Sequence, residues 1–237
     1  MGVDYTSLDA LLYGIQYTKN FDFLLTLGRQ EIHRPPNILS GIFQKYGVNV
    51  KSSSMTGYIE NMLHDIGFKH IDSLDASNYE NASIIHDMNH PIPPTLRSKY
   101  DFIYDGGTIE HIFNMPQVCE NIIDMLNIDG IFCSVTCNNN FSGHGIYQFS
   151  PEFFFSAFAP KYGMEVIEIF LAENETGKDE WLYIQPCHQV HGGRNTSKFN
   201  SLKEVYIITI AKKISNDRVS ILMDPPQQYS YQTFDWK

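Results

Sequence analysis

Several things are scarce or missing in this 237-residue sequence. No run of eighteen apolar residues occurs, and the N-terminus lacks the basic start and apolar core of a signal peptide. A membrane-spanning helix and export are therefore not expected, and a cytoplasmic location is. Cysteine is rare: Cys119, Cys133, Cys137 and Cys187 form no CxxC pair and no disulfide-framework spacing, so reduced core thiols are the default. Positive charge is also scarce. Seventeen Lys and Arg stand against 27 Asp and Glu, a formal net charge of −10. That argues against nucleic acid and against anionic membrane surfaces as partners, because phosphate needs a basic surface, although a local basic pocket stays open. No GxGxxG motif is present to seat a dinucleotide pyrophosphate, which disfavours a nucleotide-dependent oxidoreductase. No HExxH or thiolate set is present either. His188-x-x-His191 is the closest histidine pair, and no bound metal is expected. There is no internal repeat.

What is present is enough apolar sequence, 43%, to bury a sizeable core in one domain. Its most informative stretch is KYDFIYDGGTIEH, residues 99–111. The apolar run Phe102-Ile103-Tyr104 ends abruptly in Asp105-Gly106-Gly107, and Thr108-Ile109-Glu110-His111 follows at once. This reads as a buried strand opening into a loop that lets a ligand approach the backbone. In open α/β sheets ligands bind outside the carboxyl ends of strands, so acids and imidazoles placed there are site candidates.

Strand and helix patterns alternate along the chain. Leu8, Leu11, Leu12 and Ile15 recur at helical spacing behind Ser7, a candidate N-cap, within an N-terminal helical segment 1–19. FDFLLTL, Phe21 to Leu27, is a bounded apolar run and reads as a buried strand. Pro35-Pro36 starts a helix that ends near Gly47, and Tyr58 to Ile66 reads as another. His70 to Asp75 and Ser83 to His86 are the second and third strands. A helix from Pro116 to Leu126 precedes a fifth strand, Ile131 to Thr136. Ser150-Pro151 caps a helix running to about Tyr162, and strands follow at Glu165–Leu171 and Val205–Ala211. Between those two lies a long polar insertion, 173–203, a lid candidate that carries Trp181, Tyr183 and Arg194, though a surface insertion or oligomer contact fits equally. Alternation predicts a mostly parallel sheet with helices on both faces. The missing helix before the last strand predicts that this strand is antiparallel.

The segment 99–111 resembles the fourth strand and following loop of class I S-adenosylmethionine (SAM)-dependent methyltransferases, where a D-x8-EH pattern is common. DASNYENASIIHDMN followed by DGGTIEHIFN is also similar to small bacterial methyltransferase-like proteins, some associated with surface-polysaccharide or secondary-metabolite pathways. The resemblance implies a Rossmann-like three-layer sandwich, a seven-stranded sheet with an antiparallel last strand, forming a single methyltransferase-like domain over 1–237. It implies SAM as cofactor and methyl transfer to an oxygen of a small molecule or surface-glycan precursor. A catalytically silent SAM-binding partner subunit is the alternative, and a homo-oligomer is left open.

On the resemblance, Asp75 would bind the ribose, Asp87 and Met88 the adenine, and Asp105, Gly106 and Gly107 would flank the methionine portion. Asp75-Ala76-Ser77-Asn78 is also turn chemistry, and Asp87 also suits a strand-end turn. The first loop departs from the family: Thr26-Leu27-Gly28-Arg29-Gln30-Glu31 holds one glycine instead of three. Arg29 is therefore the candidate partner of the cofactor carboxylate, with a surface pair to Glu31 as the other reading. The loop after the fifth strand, CNNNFSGHGIYQF, is aromatic-lined and would face the acceptor, with Asn138, Tyr147, Gln148, Glu110 and Arg194 as binding candidates. His144, between two glycines, is the favoured general base, and His111 competes with it.

Overall fold

The computed structural model describes residues 2–186 and 200–227; Cys187, His188, His191 and Arg194 lie outside the described residues. In chain order the elements are β1 (Gly2–Val3), α1 (Tyr5–Ile15), β2 (Phe23–Leu27), β3 (Glu31–Ile32), α2 (Pro36–Lys45), α3 (Glu60–Ile66), β4 (His70–Asp75) and β5 (Ile84–Ile85). They continue with β6 (Tyr100–Asp105), α4 (Met115–Met125), β7 (Leu126–Asn139), α5 (Pro151–Ala157), β8 (Met164–Glu173), β9 (Leu182–Tyr183) and β10 (Val205–Lys213), with short 3-10 turns between some of them.

One eight-stranded sheet has the order β5-β4-β2-β6-β7-β10-β8-β9. The five strands from β5 to β7 are parallel. β10 runs antiparallel between β7 and β8, as its missing helix predicts. The expected seven strands become eight because Leu182–Tyr183 pairs antiparallel with Phe170–Leu171 inside the insertion, a two-residue strand too short for periodicity to reveal. A separate two-stranded sheet joins β1 to β3, so the N-terminal segment is not purely helical.

Both faces of the sheet are buried, which is why its strands are continuous apolar runs. On β6, Ile103 joins the core under α4 and α5, while Phe102 and Tyr104 join the core under α1, α2 and α3. β7 splits in the same way, with Phe132 on the first face and Ile131, Cys133 and Val135 on the second. Each fully buried Leu or Phe removed from water contributes ~1.5–3 kcal/mol, so the two faces together carry most of the stability. Trp181, expected over an acceptor, is instead 8% exposed and packs edge-on to Tyr13 of α1 and against Phe170.

Local signals shift some boundaries. The N-cap of α1 is Asp4, not Ser7. Asp4 Oδ1 accepts from Ser7 N at 2.8 Å and Ser7 Oγ accepts from Asp4 N at 2.8 Å, a reciprocal capping box. α5 stops at Ala157, because Pro160 lacks the N–H a helix needs, and a 3-10 turn carries on to Tyr162. Helix α4 spans Met115–Met125, within a residue of the expected Pro116 to Leu126, but β7 starts immediately at Leu126 rather than at Ile131.

Candidate functional site

Strand order reverses at β2, with β4 and β5 on one side and β6 and β7 on the other. A crevice therefore opens at the carboxyl ends of β2, β4 and β6. Two pockets lie there. The larger, about 370 Å³, is lined by Leu27, Leu74, Met88 and Ile112, with Asp75, Asp87, His86, Thr108 and His111 at its polar edges. The smaller, about 110 Å³, is lined by Gly106, Gly107, Glu110 and His144, with Asp4, Ser7 and Tyr206 opposite. The loop after β6 divides them, Gly107 facing one and Thr108 the other. The rings of His111 and His144 are 5.1 Å apart across that divide. No Lys or Arg among the described residues lines either pocket.

The three strand-end acids separate into two kinds. Asp75 and Asp87 both line the larger cleft. Each also closes a turn: Asp75 Oδ1 accepts from Ser77 N at 2.8 Å, and Asp87 Oδ1 accepts from Asn89 N and Nδ2 at 2.9 and 2.8 Å. Those bonds leave a second carboxylate oxygen on each. The Asn89 bonds hold the Asp87 carboxyl below its ordinary range. Met88 is 3% exposed between them, fixed by Asn121 Nδ2, which donates to its carbonyl at 3.1 Å.

Asp105 is different. Its side chain is fully buried and accepts from Ser134 Oγ at 2.6 Å and from the N–H groups of Thr108 at 2.9 Å and Ile109 at 3.3 Å. It fastens the loop and offers only backbone to a ligand. Burial and the nearby charge of Glu110 outweigh those donors and push its pKa up to about 7. A folded pKa above the unfolded value means that the native state holds the extra proton. The contribution of Asp105 to stability is therefore full below about pH 4 and is lost as pH rises through about 7. Urea midpoints at pH 5 and pH 8 check this: the wild-type chain should lose stability relative to Asp105→Asn over that interval, and a constant gap contradicts it.

The Gly-Gly pair divides its work. Gly107 takes φ +91°, which only glycine adopts freely. Gly106 has no positive φ, but a Cβ there would lie 2.7 Å from Gln30 Oε1. Gln30 is the residue that sequence reasoning missed. It is 1% exposed, its Nε2 donates to Leu27 O at 2.8 Å, and its Oε1 is buried without a partner. A buried orphan acceptor at this loop suits a cationic N–H donor.

The first loop does not offer the donors expected of it. Gly28, at φ +68°, donates its N–H to Leu74 O at 2.7 Å. Arg29 is engaged within the protein and lines neither pocket. Its Nε bonds Glu60 at 2.6 Å, its Nη1 donates to Glu80 O at 2.9 Å, and its guanidinium lies 3.8 Å from the Tyr58 ring centroid. The partner is Glu60 on α3, not Glu31. Arg29→Ala should cost ~1 kcal/mol of stability, since the pair is part-exposed, and leave S-adenosylhomocysteine (SAH) affinity unchanged. A large loss of SAH affinity in a calorimetric titration would restore Arg29 to the site.

Three acceptor-side candidates fasten the loop and line neither of these two pockets. Asn138 Nδ2 donates to Phe149 O at 2.7 Å, Tyr147 Oη to Phe113 O at 2.8 Å, and Gln148 Oε1 accepts from Phe141 N at 3.0 Å. Phe141 and Phe149 are core. The polar groups of a loop that packs on itself are consumed by its own backbone.

Glu110 and His144 do come together. Glu110 is 1% exposed, and its Oε2 accepts from Thr136 Oγ1 at 2.7 Å. Its Oε1 is 3.5 Å from Cys137 Sγ and 3.9 Å from His144 Nε2. The backbone carbonyl of Glu110 accepts from Ile146 N and Tyr147 N, which draws the His144 loop onto it. Burial and the Glu110 charge push the Cys137 thiol pKa up. Cys119, Cys133 and Cys137 are all buried and free. No helix among the described residues is long and apolar enough to cross a membrane.

No protein-family model matches this chain, and no curated protein matches it significantly. Similar solved structures include a protein from Listeria monocytogenes assigned as a SAM-dependent methyltransferase, with TM-score 0.48, 10% identity, and coverage of 89% of this chain and 100% of that one. Another is a chain of the complex between the Haloferax volcanii Trm112 methyltransferase activator and its assigned methyltransferase, with TM-score 0.46, 11% identity, and coverage of 88% and 91%. The cyclase SpnF is a third, with TM-score 0.44, 13% identity, and coverage of 87% and 80%. The strand order itself, a parallel sheet whose order reverses at β2 with an antiparallel β10 between β7 and β8, is a Rossmann-like arrangement.

Proposed function

We propose that this protein is a SAM-dependent methyltransferase that binds the adenosine of SAM in the larger cleft and its methyl acceptor in the smaller pocket. The observation that carries the reading is the pair of acids, Asp75 and Asp87, at the ends of neighbouring strands in one apolar cleft that adjoins a second, acidic pocket. Leu27, Leu74, Met88 and Ile112 suit the faces of a purine, Asp75 suits the ribose hydroxyls, and Asp87 suits the exocyclic amine. Gln30 Oε1 suits the ammonium of the methionine end. Pockets lined by carboxylates without Lys or Arg favour a cationic sulfonium and disfavour the pyrophosphate of NAD.

SAM supplies an electrophilic methyl group when bound. The chain supplies position and a proton acceptor. Glu110 Oε1, 3.9 Å from His144 Nε2, orients the imidazole at the acceptor pocket, and the other ring nitrogen takes the proton of an acceptor hydroxyl. His111 lines the cofactor cleft instead, so its first role is to bound the two pockets. The acceptor class we favour is an oxygen of a small molecule or surface-glycan precursor, in the cytoplasm.

A second reading has its own observation. Gly28 N–H and Arg29 are both engaged within the protein, which leaves the cofactor carboxylate without the usual loop donors and suits a silent SAM-binding partner subunit. Methyl-tritiated SAM tests both. Retention of label on the protein, chased by SAH and not by NAD, supports the cofactor, and label moved to a hydroxyl acceptor supports catalysis. Label chased by NAD alone overturns the reading.

A further inference from the structure

We propose that Glu110, Cys137 and His144 form a site for one divalent cation of the Zn2+ class, at the inner end of the smaller pocket. One donor atom from each of these residues lies within 4.8 Å of the other two. The site is separate from the adenosine cleft, and its loading does not depend on SAM binding.

The donor set is the first argument. A carboxylate, a thiolate and an imidazole are the three ligand types that Zn2+ takes from proteins, and sulfur with imidazole disfavours Mg2+ and Ca2+. The spacing is the second. Bonds of about 2.0–2.3 Å at tetrahedral angles put neighbouring ligand atoms roughly 3.3–3.7 Å apart. Cys137 Sγ and Glu110 Oε1 already stand 3.5 Å apart, and His144 Nε2 is 3.9 Å from the same oxygen. A small rotation of one exposed ring closes the set.

The third argument is preorganisation. Thr136 Oγ1 holds the other oxygen of Glu110 at 2.7 Å, as an outer-shell donor holds a ligating carboxylate. Cys137 is fixed on β7, where it pairs in register with Tyr206 of β10. The His144 loop is pinned by two N–H bonds to the Glu110 carbonyl. Gly145 permits that approach, since a Cβ there would meet Glu110 at 3.0 Å. Two ligands are thus buried and rigid, while the third is half-exposed and marks the entry path.

Charge is the fourth. The Glu110 side chain is 2% exposed and, among the described residues, has no Lys or Arg ion-pair partner; its neighbours are a hydroxyl, a thiol and an imidazole. A buried carboxylate is costly without a compensating cation. Three protein ligands leave one position open, and it faces a pocket of about 110 Å³ that Asp4 and Tyr206 also line. An open position is the mark of a catalytic rather than structural zinc site. With the ion in place His144 Nε2 is a ligand, and the imidazole's use as a free base belongs to the ion-free protein.

The test uses full-length protein stripped with a chelator and titrated with Zn2+ against a chromophoric competitor, then with Co2+ followed by absorption. One equivalent should bind. The Co2+ form should show a thiolate charge-transfer band in the near ultraviolet. Cys137→Ser should remove that band, and His144→Ala, a change at a half-exposed loop position that should not disturb folding, should weaken Zn2+ binding at least tenfold. Thr136→Val should weaken it about tenfold through the outer shell. Three results would each overturn the proposal: no stoichiometric Zn2+ uptake, undiminished uptake in His144→Ala, or a thiolate band that survives Cys137→Ser, which would place the ion near Cys187, His188 and His191.

Discussion

Turnover of the His144→Ala protein is expected to fall by ~10²–10⁴, the usual cost of a lost general base, while its SAH affinity stays within about twofold of wild type. The separation of effects follows from the geometry. His144 lines the smaller pocket and does not line the adenosine cleft. Its ring is 51% exposed, so the substitution opens no core cavity. His111→Ala should behave in the opposite sense, with a weaker effect on turnover and a measurable one on SAH, because His111 lines the cleft. If His111→Ala is inactive while His144→Ala turns over normally, the proton acceptor has been assigned to the wrong imidazole. If both are active, the acceptor oxygen enters already ionised and positioning alone carries the transfer.

Asp75→Ala is expected to weaken SAH binding tenfold to a hundredfold. A ribose hydroxyl donating to a carboxylate is worth ~1.5–3 kcal/mol. Asp75 keeps one oxygen for that bond, because its turn bonds from Ser77 both go to Oδ1. The substitution also removes the turn bonds, so thermal stability is measured alongside. Asp75→Asn separates the two, since it keeps an acceptor for Ser77 N while losing the charge. Calorimetry that gives equal SAH affinity for wild type and Asp75→Ala would remove Asp75 from the site.

The sheet was legible in the sequence because its central strands are buried on both faces and so read as apolar runs. Phe23–Leu27, Tyr100–Asp105 and Val205–Lys213 all fall on apolar runs. Leu182–Tyr183 was not legible: two residues cannot display a period, and only pairing with β8 makes them a strand. The N-cap of α1 was missed because Ser7 is itself a good capping residue. Its hydroxyl serves at N3, and Asp4 takes the cap.

Residues that line the larger cleft were legible where local chain order decides position. Asp75, Asp87 and Met88 sit at strand ends, and strand ends of a parallel sheet converge on one edge. The ion pair of Arg29 was not legible because its partner, Glu60, lies on another element 31 residues away. Asn138, Tyr147 and Gln148 were read as lining from an aromatic, polar loop, but the loop's own backbone bonds Asn138 and Gln148, and the carbonyl of Phe113, between β6 and α4, accepts from Tyr147. Gln30 carried no motif, and only an unpaired oxygen in a packed interior marks it. The grouping of Glu110 with Cys137 and His144 spans 34 residues and depends on β7 lying beside the loop after β6.

The most direct test of the central claim is a calorimetric titration of the purified chain with SAH and, separately, with NAD. One SAH per chain, with heat lost or strongly reduced in Asp75→Ala and no response to NAD, is the predicted result. No detectable SAH binding, or saturable binding of NAD that Asp75→Ala leaves intact, would contradict it.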